Sequence, residues 1–364
     1  MAMTRVVFTA DGRARESLAI VVAGAASAVS IVAALLVFRL EPAPIAGPGS
    51  VGQFAAVAAT VAAIVVFVFG RYVVRDPEHP PRVMDLVDLG VVALAHAVIA
   101  LLSWTLLSAI LAQSFGKAVV YPIPLLFATG AVTAVTTYLV LHAATGSSLM
   151  TLAVVLAVFL AEGLVASMLS ASNPHWWRFN LSALGMTNDN SALTFNLTLV
   201  VAGLMITTLT RYITRALPGA SAGGVARLRV FLVLMGVLLA FVGLFPVDVF
   251  FWVHTLSASG MGVVFCILAL RVPSWVPGLA RGFIWLGRVF VAVTVLIGSF
   301  YAVGYYTLTA VELIAAVMAF TWIILFIRNT ALATVLVTEV ATLPVDETAF
   351  EVAVEPKAEP VLAG

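Results

Sequence analysis

Residues 18–38 read LAIVVAGAASAVSIVAALLVF. No charged side chain interrupts these positions, and the run outlasts the 7 to 15 apolar residues typical of a secretory leader core. A helix of this length rises about 30 Å, the thickness of a bilayer's hydrocarbon core. The stretch therefore reads as a retained membrane span. The same reading extends along the chain and gives ten apolar segments, at about residues 17–38, 54–74, 86–111, 119–142, 149–170, 191–211, 228–247, 250–271, 283–302 and 307–327. They are too long for barrel strands, and hydrocarbon offers a lone backbone no hydrogen-bond partner, so they are helices. The predicted fold class is all-α, a polytopic integral membrane bundle of about ten transmembrane helices.

Composition agrees. The chain is 63% hydrophobic and 10% charged, against roughly 25% charged residues in soluble domains. A formal net charge of +1 gives no basic surface for nucleic acid. The single Cys266 lies in an apolar run and excludes an intramolecular disulfide. Sixteen Arg against two Lys, with heavy Ala and Val use, point to a GC-rich bacterial genome.

Orientation follows from Arg and Lys, which accumulate on the cytoplasmic side of short loops. With the N-terminus inside, that side holds Arg5, Arg13, Arg15, Arg71, Arg75, Arg82, Arg211, Arg215, Arg227, Arg229, Arg271, Arg281, Arg328 and Lys357, while the other side holds Arg39, Lys117 and Arg178. Arg288 lies just inside the ninth span and can snorkel inward. Both termini are expected in the cytoplasm. Tyr121, Trp176, Trp177, Trp252, Tyr301, Tyr305 and Tyr306 then fall at outer ends, and Tyr72, Tyr212 and Trp275 at inner ends, as interfacial aromatics should. The expected organisation is a cytoplasmic N-terminus (1–16), a four-helix region (17–148), a six-helix region (149–335) with an outer loop at 171–190, and a disordered acidic cytoplasmic tail (336–364). RYITRALPGASAGGVARLR, residues 211–229, reads as a flexible basic tether. Pro122 and Pro124 are expected to disturb the outer start of the fourth span, and Gly24 with Ala28 to allow close helix approach. No inverted repeat is legible.

Chemistry concentrates at the outer side. Residues 173–190, NPHWWRFNLSALGMTNDN, form the longest polar outer connection. Ionisable groups inside a membrane cost about 2.5 to 3.5 kcal/mol by insertion scales, so His96, Glu162 and Glu312 each need a partner or a purpose. At 1.5 Å per residue, Glu162 lies about 12 Å and Glu312 about 7 Å below the outer ends of their helices. Asp248 and His254 stand near the same level. With His175, Arg178, Ser182 and Asn196 they are the candidates for a polar outer cavity closed by the loop. Each has a plainer alternative. Asp248 suits an N-cap of the eighth helix, and Asn188, Asp189, Asn190 and Ser191 suit one for the sixth. His96 fits a buried, hydrogen-bonded imidazole, Trp176 and Trp177 fit interfacial anchors, and Arg178 fits a lipid-phosphate contact. No HExxH, CxxC or phosphate loop occurs. The ligand types of His175, Asp248, His254 and a glutamate suit a metal, but their spacing compels none, and no cofactor is expected.

At SALG (182–185), and again at FPVD (245–248) with His254, the sequence resembles an uncharacterised bacterial membrane family, the domain of unknown function 998. The matching residues are Ser182, Leu184 and Gly185, then Asn196 and Gly203, then Phe245, Pro246, Asp248 and His254. The resemblance covers about residues 150–335 and leaves the first four spans outside. That family looks distantly like eukaryotic six-span proteins of the autophagy-modulator type, some of whose relatives are associated with membrane lipids. It implies a lipid-related role and no particular reaction. The expectation is a bacterial plasma-membrane protein that binds or handles a lipid or envelope precursor from outside. The alternatives are a proton-coupled transporter using Glu162 and His96, and a noncatalytic subunit docked to a membrane-protein partner.

Overall fold

The computed structural model describes residues 12–342 apart from 77, 79, 117, 147, 187, 216 and 218, with the side chains of 215 and 331–342 left aside. Ten long helices follow one another: α1 (Gly12–Phe38), α2 (Val51–Val73), α3 (Val83–Ser114), α4 (Pro122–Thr145), α5 (Leu149–Ser170), α6 (Asn190–Arg215), α7 (Ala222–Leu244), α8 (Phe251–Trp275), α9 (Arg281–Ala302) and α10 (Leu308–Thr342). Each is long and apolar enough to cross a membrane. The protein is a multi-pass helical membrane bundle, and the even number of crossings brings the ends of α1 and α10 to one side. Below, "outer" denotes the face poor in Arg and Lys.

Local chemistry sets the helix ends. Pro122 stands in the first turn of α4 and starts that helix, because its fixed φ and missing N–H cost nothing there. The disturbance expected from the two prolines is therefore a clean boundary, and Val119–Val120 before it pairs antiparallel with Ala43–Pro44 as a short outer sheet, β2 with β1. Ser50, Ser148 and Ser221 cap α2, α5 and α7, each accepting from a backbone N–H three residues on. The expected flexible tether at 211–229 contracts to the few residues between Arg215 and Ala222. Gly224 sits so close to α8 that a Cβ there would lie 2.5 Å from the Trp275 carbonyl oxygen. The expected start of the tail at residue 336 falls within α10, which continues to Thr342. Residues 343–364 and the first eleven lie outside the described residues.

Two groups of helices emerge from the packing. In the first, α4 lies against α1 and α2, and α2 lies against α3. The α1–α4 seam is made by Ser30, Thr129 and Thr133, where the Thr133 hydroxyl donates to Ser30 Oγ (2.9 Å). Gly130 meets Ser27 and Ile31 there, whereas Gly24 borders open space and Ala28 is exposed, so the close approach is one turn away from the expected pair. In the second group each helix from α5 to α10 packs on the next, and α10 returns onto α5. Six helices thus close a ring. Helix α3 joins the groups by resting on α5 and α6. At its inner end, Arg211 of α6 donates to Asp88 (2.7 Å) and Asp85 (3.1 Å).

Candidate functional site

The site lies at the outer end of the ring and is built from two short irregular segments. In the first, residues Leu181–Gly185 form a 3-10 turn. Its repeat of about three residues places Leu181 and Leu184 together against Phe195, in a small core that also takes Trp176. Three bonds tie this turn down. The Asn196 amide donates to the Gly185 carbonyl (3.1 Å). The Ser191 hydroxyl reaches the Leu184 carbonyl (3.3 Å). The Leu181 N–H donates to Glu312 Oε2 of α10 (2.5 Å). A Cβ at Gly185 would lie 2.4 Å from Asn196 Oδ1 and 2.9 Å from Phe195 Cδ1, so a larger residue there would displace the Asn196 side chain that holds the turn.

The second segment joins α7 to α8. Pro246 ends α7 because its ring cannot continue the helix, and the N–H groups of Val249 and Phe250 both turn back to the Pro246 carbonyl. The Phe245 carbonyl is left without the helical partner it would otherwise have. His254, one turn into α8, fills that place through Nδ1 (2.8 Å). A carbonyl only accepts, so Nδ1 carries the proton. In the neutral ring Nε2 is then the acceptor, and it takes the hydrogen bond of the Ser182 hydroxyl (2.9 Å). His254 and Ser182 are 4% and 8% exposed.

Beneath this pair lies a cavity of about 330 Å³ inside the ring, walled by residues such as Met235, Leu239, Phe265 and Ile323, with Ser182 and Glu312 also in its lining. A narrower cleft of about 220 Å³ between α5, α6 and α10 shares Leu181, Phe195, Leu199, Ala316 and Phe320 with that wall. A larger apolar cavity of about 510 Å³ lies between α2, α3 and α4 under the outer sheet, but among the described residues no ionisable side chain other than Tyr121 lines it. Ligand sites combine apolar walls with a few convergent polar groups, and the ring cavity meets that description better.

The remaining expected residues go elsewhere. Glu162 turns toward α3, where its Oε1 accepts from the Ser103 hydroxyl (2.7 Å); it is absent from the lining of the ring cavity. His175 and Arg178 are exposed on the loop, with Arg178 over the Trp177 ring (5.3 Å to the centroid). Asp248 is exposed within the turn, and the N-cap position of α8 belongs to Phe250. The expected cap at α6 is supplied by Asp189, which accepts from Ala192 N–H (3.0 Å) and also from Ser172 N–H (3.2 Å). Asn196 acts on the loop's backbone and does not line the cavity. His96 donates from Nδ1 to the Val92 carbonyl (2.8 Å) and stacks on Phe67. The single pocket expected for all these groups thus reduces to Ser182 and Glu312, with His254 behind Ser182. Depth along a helix is legible from residue number, whereas the direction a side chain faces depends on which helices neighbour it.

Among the described residues, no three His, Cys, Asp or Glu side chains come together to hold a metal ion. No family model, curated protein or solved structure matches the chain. What the site can do chemically therefore rests on its geometry.

Proposed function

We propose that the six-helix ring binds an amphiphile from the outer leaflet of a bacterial plasma membrane, a membrane lipid or lipid-linked envelope precursor, with its chain in the cavity and its polar end at Ser182 and Glu312. The observation that carries this reading is an apolar cavity with both of these polar groups in its lining, beside a cleft between α5, α6 and α10. An apolar chain gains about 0.8 kcal/mol per methylene on leaving water, but hydrocarbon already surrounds this protein. Selection must therefore come from the polar end. The resemblance at 182–185 and 245–254 agrees with a lipid-related role.

Native mass spectrometry of protein extracted in mild detergent tests the reading. Wild-type protein is expected to retain one lipid-sized adduct, and Ala315→Phe, which fills the cavity wall, to lose at least nine-tenths of it while still eluting as a single species. Equal retention in both would remove the proposal.

A second reading, proton exchange, is favoured by one observation. Glu162 Oε2 and His96 Nε2 are both buried without a hydrogen-bond partner among the described residues. Intramembrane carboxyl and imidazole groups mark proton relays in many transporters. It predicts a pH-gradient-driven flux in proteoliposomes that falls at least tenfold in Glu162→Gln, and an unaltered flux would end it.

A further inference from the structure

We propose that Ser182 is a nucleophile and His254 its general base, so that the ring cleaves or transfers the carboxylic ester of the amphiphile it holds. This rests on the binding reading above and adds a reaction to it.

The arrangement has the three parts that an activated hydroxyl requires: a nucleophile, a base within hydrogen-bond reach, and a group that fixes the base's orientation and tautomer. Here they are Ser182 Oγ, His254 Nε2 at 2.9 Å, and the Phe245 carbonyl at 2.8 Å from Nδ1. That carbonyl is open to His254 because the Val249 N–H, its partner in helical register, bonds the Pro246 carbonyl instead. A purely structural tether between loop and ring would be redundant, since the turn is already held by Asn196, Ser191 and Glu312. Glu312 acts as a positioning residue, holding the amide immediately before the nucleophile.

The wall selects the electrophile. Among the described residues no Arg or Lys lines the cavity, and Glu312 does, so a phosphate would meet no described cation and one carboxyl group. An uncharged acyl ester meets apolar walls and the serine. As Oγ forms a bond to the ester carbonyl carbon, the hydroxyl proton passes to His254 Nε2. The bond to the leaving oxygen then breaks, and that oxygen takes the proton from Nε2 and departs as an alcohol. Water, or a second alcohol, loses a proton to Nε2 as it attacks the acyl-serine. Collapse breaks the bond to Oγ and returns the proton to it, which restores the free hydroxyl and releases an acid or a new ester.

The test uses the full chain in nanodiscs with a biotinylated fluorophosphonate, a reagent that phosphonylates activated serines. We expect labelling of wild-type protein, mapped by peptide mass spectrometry to Ser182, a fall of at least twentyfold in Ser182→Ala, and at least tenfold in His254→Gln. Thermal midpoints of both variants should stay within a few degrees of wild type, so that the lost labelling reports lost reactivity and not unfolding. An unlabelled wild type, under conditions that label a serine hydrolase added to the same nanodiscs, overturns the proposal, as does label on another residue. If Ser182→Ala fails to fold, the mapped wild-type peptide still decides. Lipid retained by a wild-type protein that takes no label removes the catalysis and leaves the binding reading. Label at Ser182 without retained lipid removes the binding reading alone.

Discussion

Replacing Arg211 by Met is expected to lower the unfolding free energy by about 2 to 4 kcal/mol, somewhat below the 3 to 5 kcal/mol typical when one member of a buried pair is lost. The discount reflects partial exposure of two members: the side chains of Arg211, Asp85 and Asp88 are 26%, 42% and 7% exposed. The variant leaves Asp88 enclosed between α3 and α6, beside the Asp85 carboxylate and without the guanidinium that donates to it. The loss should therefore be conditional. Asp88→Asn in the Arg211→Met background removes the stranded charge and is expected to recover more than half of it, whereas Asp88→Asn alone should cost no more than about 2 kcal/mol. Unfolding in detergent followed by tryptophan fluorescence, run as a double-mutant cycle, measures this. A double variant as unstable as the sum of its singles would show that the contact does not couple α3 to the ring. The pair spans the two helix groups, so its loss should also loosen α3 in hydrogen exchange.

A larger effect is expected at Gly203. A Cβ at this position would lie 2.3 Å from the Gly236 carbonyl oxygen and 2.8 Å from the Ala240 nitrogen, and one at Gly236 would lie 2.5 Å from the Gly203 carbonyl oxygen. Backbone faces backbone here, so no flexible side chain can give way. Overpacking usually costs about 1 to 3 kcal/mol when side chains can adjust, and Gly203→Val should exceed that range and abolish the monodisperse peak on size-exclusion chromatography. Gly298→Ala is the control. A Cβ there meets nothing within 4 Å, and Ala is favoured over Gly within a helix. A stable Gly203→Val protein would mean that α6 and α7 are not in backbone contact.

The two positions differ in how legible they were. Gly203 stands out as a small residue in an apolar span, but nothing along the chain says that its neighbour across the gap is another glycine. Asp85 and Asp88, three apart, share a helix face at the start of the third span, and that spacing is the signal that could have drawn attention to them. Their cation lies more than a hundred residues away. Ser182 and His254 were both legible as unusual polar residues in an apolar chain. Their pairing was not, because it depends on the outer loop folding back over the ring.

The sequence alone determined the number of spans, their approximate limits and the basic face of the protein. These depend on how many apolar residues cross a bilayer of fixed thickness and on the cost of moving Arg and Lys through it, both properties of local composition. It also determined how deep Glu162, Glu312 and His254 lie, since a helix rises by a fixed amount per residue. Only the tertiary structure decided which of those groups meet. Helices in hydrocarbon choose neighbours by fitting small residues and a few polar contacts against one another, a property of surfaces distant in the chain. The same depth therefore sent Glu162 to Ser103 on α3, Glu312 to the Leu181 amide, and His254 to Ser182.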